Sequence, residues 1–226
     1  MKRREFSLLA GAATVATQAL WPAVAVAQTQ AKPTQAGAKA ATPEPMKVVA
    51  GTDYLVLDPR APVEAPAGKI ELVEFFWYSC PHCSVFEPEL DAWLKKLPKD
   101  VAFRDDFVPQ QRLYYALEAM GLVDKLHTKV FAAIHLERLD LSKAPAILEW
   151  VAKQGVDPVK FSEQFSSFSV STKSSRAAQL QNAYKIDGVP ALGVAGRFYT
   201  SGAMANGMSK ALKVTESLLA LVRSGK

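Results

Sequence analysis

Between Ile70 and Phe76 every residue except Glu71 and Glu74 is apolar, and three residues further on stands Cys80-Pro81-His82-Cys83, which holds the chain's only two cysteines. An apolar run without strict alternation predicts a strand covered on both faces, placed inside a sheet. Proline directly after the first cysteine predicts a helix start near Cys80 or Pro81, because a first turn does not use the N–H that proline lacks. A buried strand that delivers two thiols to a helix start restricts the chain to a layered α/β architecture.

The flanking segments extend this pattern. Tyr54 to Leu57 is a short strand candidate, followed by a turn-rich stretch from Asp58 to Gly68 with three prolines. Beyond the cysteines, Cys83, Phe86, Leu90, Trp93, Leu94 and Leu97 recur at helical spacing and leave Asp91, Lys95 and Lys96 for solvent. Pro88 lies inside this helix and is expected to kink it. Val101 to Val108 reads as a second core strand ended by Pro109.

From Gln110 to about Lys185 the period changes to helix after helix: Leu113 to Met120, Val123 to His135, Ala144 to Gln154, Pro158 to Phe165 and Thr172 to Tyr184. A hairpin follows, Ala191 to Ala195 and Arg197 to Thr200 about Gly196, and a last helix from about Met208 to Arg223. The insertion of roughly 75 residues is long enough for a small core of its own.

The chain has 226 residues, 49% hydrophobic and 22% charged, enough to bury a proper core. Its formal charge is +5, of which Lys2, Arg3 and Arg4 against Glu5 supply +2, so removal of the N-terminus would leave +3. That is too modest to suggest nucleic acid as a partner.

The first 27 residues have the layout of an export signal: a basic start, an apolar stretch from Leu8 to about Trp21, and Ala25-Val26-Ala27 before Gln28. Arg3-Arg4 fits a twin-arginine signal as well as an ordinary one. Thr14, Thr17, Gln18 and Pro22 interrupt the stretch before it reaches the ~20 clean residues of a membrane span. Residues 28–47 are mostly Ala, Gln, Thr, Pro and Lys, a composition expected to form a flexible tether.

Several chemistries use a Cys-x-x-Cys. Zinc needs about four ligands, and beyond the two sulfurs there are only His82, His127 and His135. Covalent haem attachment needs histidine after the second cysteine, where Ser84 stands. An inert bridge across so small a loop restrains the unfolded chain little. A redox-active dithiol fits best, with no metal and no cofactor.

At a helix start, the Cys80 sulfur is expected to face unpaired N–H groups and the positive end of the helix dipole, which favour thiolate. Cys80 is therefore expected to be the exposed nucleophile and Cys83, one turn in on the apolar face, the buried resolving thiol. Between them, His82 is positioned to tune the Cys80 sulfur and Pro81 to open the helix. Glu74 reads either as a buried acid that moves protons or as an edge-facing or lysine-paired carboxylate. Spacing alone leaves Pro190, in Gly188-Val189-Pro190-Ala191, undecided between an ordinary strand start and something more. His127 and His135 are expected on helix surfaces, as bystanders.

Taken together, Glu74-Phe75-Phe76, the Cys80-Pro81-His82-Cys83 motif, the helical insertion and Val189-Pro190 resemble the thioredoxin superfamily, and within it the DsbA-like periplasmic thiol:disulfide oxidoreductases, from about Gly51 to the C-terminus. The resemblance implies an α/β thioredoxin fold with an inserted all-helical domain: residues 48–109 and 186–226 form the thioredoxin part and 110–185 the insertion. It also implies a cis Pro190 packed on the cysteines, a Val189 backbone that pairs with substrate peptide, and Glu74 as the family's buried acid. Trp77 to Ser79 and Met204 to Met208 would line a peptide groove. The implied activity is that of a monomeric periplasmic oxidase that donates the Cys80–Cys83 disulfide to reduced exported proteins. A DsbB-like, quinone-linked membrane oxidase would recharge it. An isomerase or reductase of the same fold, and a peptide-binding chaperone, are the alternatives.

Overall fold

The computed structural model describes residues 45–107 and 110–225. The expected export signal (1–27), most of the expected tether (28–47) and the strand end at Val108 and Pro109 lie outside the described residues. In chain order the elements are β1 (Leu55–Val56), β2 (Ile70–Phe76), α1 (Pro81–Leu94), β3 (Val101–Phe107), α2 (Gln111–Ala119), α3 (Val123–His135), α4 (Ala144–Lys153), α5 (Pro158–Phe165), α6 (Phe168–Ala183), β4 (Ala191–Val194), β5 (Phe198–Ser201), α7 (Gly202–Ala205) and α8 (Met208–Arg223).

The strands form one mixed sheet in the order β1-β5-β4-β2-β3. β2 pairs in parallel with β3 from Ile70–Val101 to Phe76–Phe107, and antiparallel with β4 from Leu72–Val194 to Phe75–Ala191. With neighbours on both edges and helices over both faces, Glu71 to Phe76 are all buried, which is why the run does not alternate. On one face Leu192 packs with Phe86 and Leu90 of α1 and Leu212 of α8, beside a patch formed by Leu72, Val194, Val214 and Leu218. On the other face Val73, Phe75, Ala191 and Tyr199 meet Leu180 and Tyr184 from the end of α6. Gly193 makes that second contact possible: a Cβ there would lie 2.4 Å from Cε1 of the Tyr184 ring.

α2 to α6 lie in sequence between β3 and β4. Their shared core includes Leu113, Leu117, Leu126, Phe131, Trp150 and Phe161, and it is not a separate one, because the same cluster runs on through Phe76, Tyr78, Cys80 and Cys83. α6 starts four residues before the predicted Thr172. Ser167 Oγ accepts from Val170 N at 3.2 Å and so sets the helix start. The first strand is shorter than expected, because Tyr54 makes a bridge with Ala50 and leaves only Leu55 and Val56 to pair with β5. α7, a single turn capped by Ser201, had no periodic signal in so few residues.

Candidate functional site

β2 ends at Phe76 and the chain turns through Trp77-Tyr78-Ser79 into α1, the turn closing with Cys80 N–H donating to the Trp77 carbonyl at 2.8 Å. Cys80 is the N-cap, extended at φ −83° and ψ 117°, and Pro81 opens the first turn. The structure holds both cysteines as free thiols. The Cys80 thiol donates to the Val189 carbonyl at 3.6 Å, so the loop before β4 lies directly on this sulfur. The Val189–Pro190 peptide bond is cis, and the β4 ladder begins only at Ala191, one residue past Pro190.

Cys83 lies one turn deeper and is 1% exposed, against 7% for Cys80. The order of burial is the expected one, but Cys80 is not an exposed residue: the Val189 loop and the aromatic cluster around Phe76 and Tyr78 cover most of it. Burial pushes the Cys83 thiol far above the ordinary cysteine range. A hydrogen bond with the Trp77 backbone opposes this, while the Cys80 sulfur and the Glu74 charge add to it. Pro81 and His82 are exposed on the first turn of α1.

Glu74 is 1% exposed, next to Leu192 of β4 and Asp105 of β3 in the sheet. That excludes an edge-facing glutamate and keeps a carboxyl close enough to Cys83 for its charge to matter. It forms part of the inner wall of a cleft of about 380 Å³, with Glu87, Asp91, Asp124, His127 and Thr128 around it.

Sequence reasoning placed His127 and His135 on exposed helix faces; the structure turns both inward. His127 is 8% exposed, with Nδ1 2.8 Å from the Tyr78 hydroxyl and Nε2 3.3 Å from Glu87 Oε1. The rings of Phe76 and Phe131 stand edge-on to it at 5.1 and 5.3 Å. His135 Nε2 donates to the Tyr78 carbonyl at 2.8 Å. Tyr78, fully buried, is thus held at its side chain and at its backbone, two residues before Cys80. Gln110 holds the next residue, its Nε2 donating to Ser79 Oγ at 3.2 Å and to the Leu141 carbonyl at 3.3 Å. The signal for the histidines was present: His127, Phe131 and His135 recur at i, i+4 and i+8 on α3, one stripe of a helix whose apolar residues face the core.

Among the described residues no group of three or more His, Cys, Asp or Glu is arranged to hold a metal ion. Two thiols on one helical turn, the outer against a loop carbonyl and the inner beside a buried carboxyl, can close and open a disulfide with distinct roles for each sulfur.

The family model of the DSBA-like thioredoxin domain matches residues 96–213, a span that begins after the cysteine pair, so motif and family match are separate observations. The thiol:disulfide interchange protein DsbA of Burkholderia cepacia is 40% identical over 189 residues, covering 80% of this chain and 89% of its own. That of Bordetella pertussis (strain Tohama I) is 47% identical over 174 residues, covering 74% and 82%. The crystal structure of Pseudomonas aeruginosa DsbA superposes with a TM-score of 0.73 at 35% identity, covering 79% of this chain and 96% of that one.

Proposed function

Because the chain belongs to the family of DsbA-like thioredoxin-fold proteins, and is a thiol:disulfide oxidoreductase, we propose that it works as an oxidase that passes the Cys80–Cys83 disulfide to reduced exported proteins. The observation that carries the assignment of roles is the asymmetry of the two sulfurs. Cys80, at the helix N-cap, meets the Val189 loop, while Cys83 is sealed beside Glu74.

In the first step a substrate thiolate attacks Cys80 Sγ, the Cys80–Cys83 bond breaks, and its electron pair goes to Cys83. Burial makes a Cys83 thiolate unfavourable, so that sulfur takes a proton as it leaves, relayed from the water of the adjoining cleft by the Glu74 carboxylate on its wall. In the second step another substrate thiolate attacks the substrate sulfur of the mixed disulfide, and Cys80 departs with the electron pair. Two substrate thiols have become a disulfide, and the protein disulfide a dithiol. The substrate chain pairs with the Val189 backbone, just outside the β4 ladder. Pro190 shapes that loop, and Pro81 and His82 set the helix start and the charge around Cys80.

The signal-like sequence of residues 1–27 supports a periplasmic location, and no helix among the described residues is long and apolar enough to cross a membrane. The dithiol is reoxidised by a DsbB-like, quinone-linked membrane oxidase. The test is to mix pre-oxidised protein with a reduced two-cysteine peptide. One peptide disulfide forms per protein disulfide lost, and Cys80→Ser abolishes the transfer. A chaperone with an incidental thiol pair would keep suppressing aggregation in Cys80→Ser and would oxidise nothing. A reductase or isomerase would be found largely reduced when equilibrated with glutathione.

A further inference from the structure

We propose that Gln110 is a positioning residue for disulfide exchange: its side-chain amide ties Ser79, the residue before Cys80, to the helical insertion and so fixes the direction in which the Cys80 sulfur meets an incoming thiolate. The inference rests on the oxidoreductase reading above and adds to it a residue 31 positions from the serine it holds.

Gln110 goes against the local preferences of its position. It is the N-cap of α2, a place favoured by Ser, Thr, Asp, Asn or Gly, yet its side chain makes no capping hydrogen bond. Its backbone is left-handed, at φ 69° and ψ 12°, a conformation that glycine takes without strain and a residue with a Cβ does not. A residue held in this way is compensated by its surroundings, and here the compensation comes from the amide. Nε2 donates to the Leu141 carbonyl at 3.3 Å and to Ser79 Oγ at 3.2 Å, and Ser79 Oγ in turn donates to Oε1 at 3.4 Å. A carbonyl can only accept, so the contact with Leu141 puts the nitrogen, not the oxygen, on that side. Leu141 is buried and lies between α3 and α4, so one amide joins the turn after β2, the start of α2 and the α3–α4 connection.

The amide acts on the reaction through the chain. Ser79 and Cys80 share a peptide unit whose Cα atoms are about 3.8 Å apart, so a fixed Ser79 limits how far the Cys80 backbone can swing about the hydrogen bond from its N–H to the Trp77 carbonyl. Exchange needs that restraint, because the attacking sulfur must approach along the axis of the Cys80–Cys83 bond, and a sulfur that wanders spends less time aligned. Ser79 and Gln110 are both half-buried, so water only partly replaces the contact when it is lost. Deleting one hydrogen bond of this kind is expected to slow oxidation about threefold to tenfold.

The experiment measures how fast the oxidised protein forms the disulfide of the reduced two-cysteine peptide, with urea unfolding alongside, for the wild type, Gln110→Gly, Gln110→Met and Ser79→Ala. Met keeps the length and the backbone strain and loses the amide; Gly loses both the amide and the strain. Both are expected to be slowed by the same factor, about threefold to tenfold, although the Gly variant unfolds at a higher urea concentration than the Met variant. Ser79→Ala is slowed alike, and Ser79→Ala/Gln110→Gly is no slower than Ser79→Ala alone, because both changes delete one contact. A merely structural Gln110 would give rates that follow stability, with Met slow and Gly at the wild-type value, and that result overturns the proposal. Rates unchanged in both Gln110 variants, or effects that multiply in the double variant, overturn it too. Failure of the wild type to oxidise the peptide at all would instead overturn the oxidase reading, so the two failures are distinguishable.

Discussion

Removing every competing thiol except Cys83 turns its burial into a stability measurement. In Cys80→Ser the remaining cysteine keeps the largest cause of its raised ionisation, desolvation, and loses only the additions from Cys80. An unfolded chain gives up the Cys83 proton near the ordinary thiol value of 9.0, while the folded chain retains it. Above that value the unfolded state binds one proton fewer than the folded state, so stability falls with rising pH. One proton corresponds to about 1.4 kcal/mol per pH unit. This stability is fully present below about pH 9 and is lost as pH climbs above it. The comparison is with Cys80→Ser/Cys83→Ala, which shares every other titrating group, including Tyr199, whose hydroxyl burial pushes up to about 12. Urea unfolding followed by tryptophan fluorescence should give parallel curves between pH 6 and 8. Between about pH 8 and 10 the Cys83-containing variant should lose an additional 1.4 kcal/mol or so. Curves that stay parallel to pH 10 would show that Cys83 ionises in the folded chain as easily as in the unfolded one, and would refute the proton-transfer step built on it.

Three further outcomes follow from the same contacts. Glu74→Gln removes the ionisable group next to Cys83 and is expected to slow peptide oxidation about tenfold at pH 7 in stopped-flow measurements; an unchanged rate would remove Glu74 from the mechanism. Tyr78→Phe deletes the hydroxyl that reaches His127 at 2.8 Å and should cost about 1–2 kcal/mol in urea unfolding, whereas a loss within experimental error would mean the contact is idle. Gly193→Ala drives a methyl against the fully buried Tyr184 ring, whose hydroxyl accepts from Gly196 N at 2.9 Å, and overpacking of this kind costs about 1–3 kcal/mol; a fully stable variant would show that the ring moves freely.

What could be read from the chain was whatever depends on local pattern. The unalternating run Ile70–Phe76 implied an interior strand, and β2 has neighbours on both sides. Proline after Cys80 implied a helix start, and Cys80 is the N-cap. Helix limits failed where a polar cap outweighed apolar spacing, as at Ser167. The site was legible in its covalent part, the cysteine motif, but not in what surrounds it. Tyr78 looked like one aromatic among several, and His127 and His135 read as surface residues by residue type, although their spacing with Phe131 already set them on the inward stripe of α3. Only the packing of α3 against the turn after β2 brings residues 49 and 57 positions apart into hydrogen-bond contact. The same packing merges the helical core with the cysteine pair, which an insertion with a core of its own would not have done.

The central claim is that Cys80, and not Cys83, receives the substrate sulfur. Oxidised protein mixed with a peptide bearing a single thiol, quenched with acid and mapped by mass spectrometry, reports this directly. The account predicts a peptide adduct on Cys80 with Cys83 recovered as the free thiol. An adduct on Cys83, or equal labelling of the two, would contradict it.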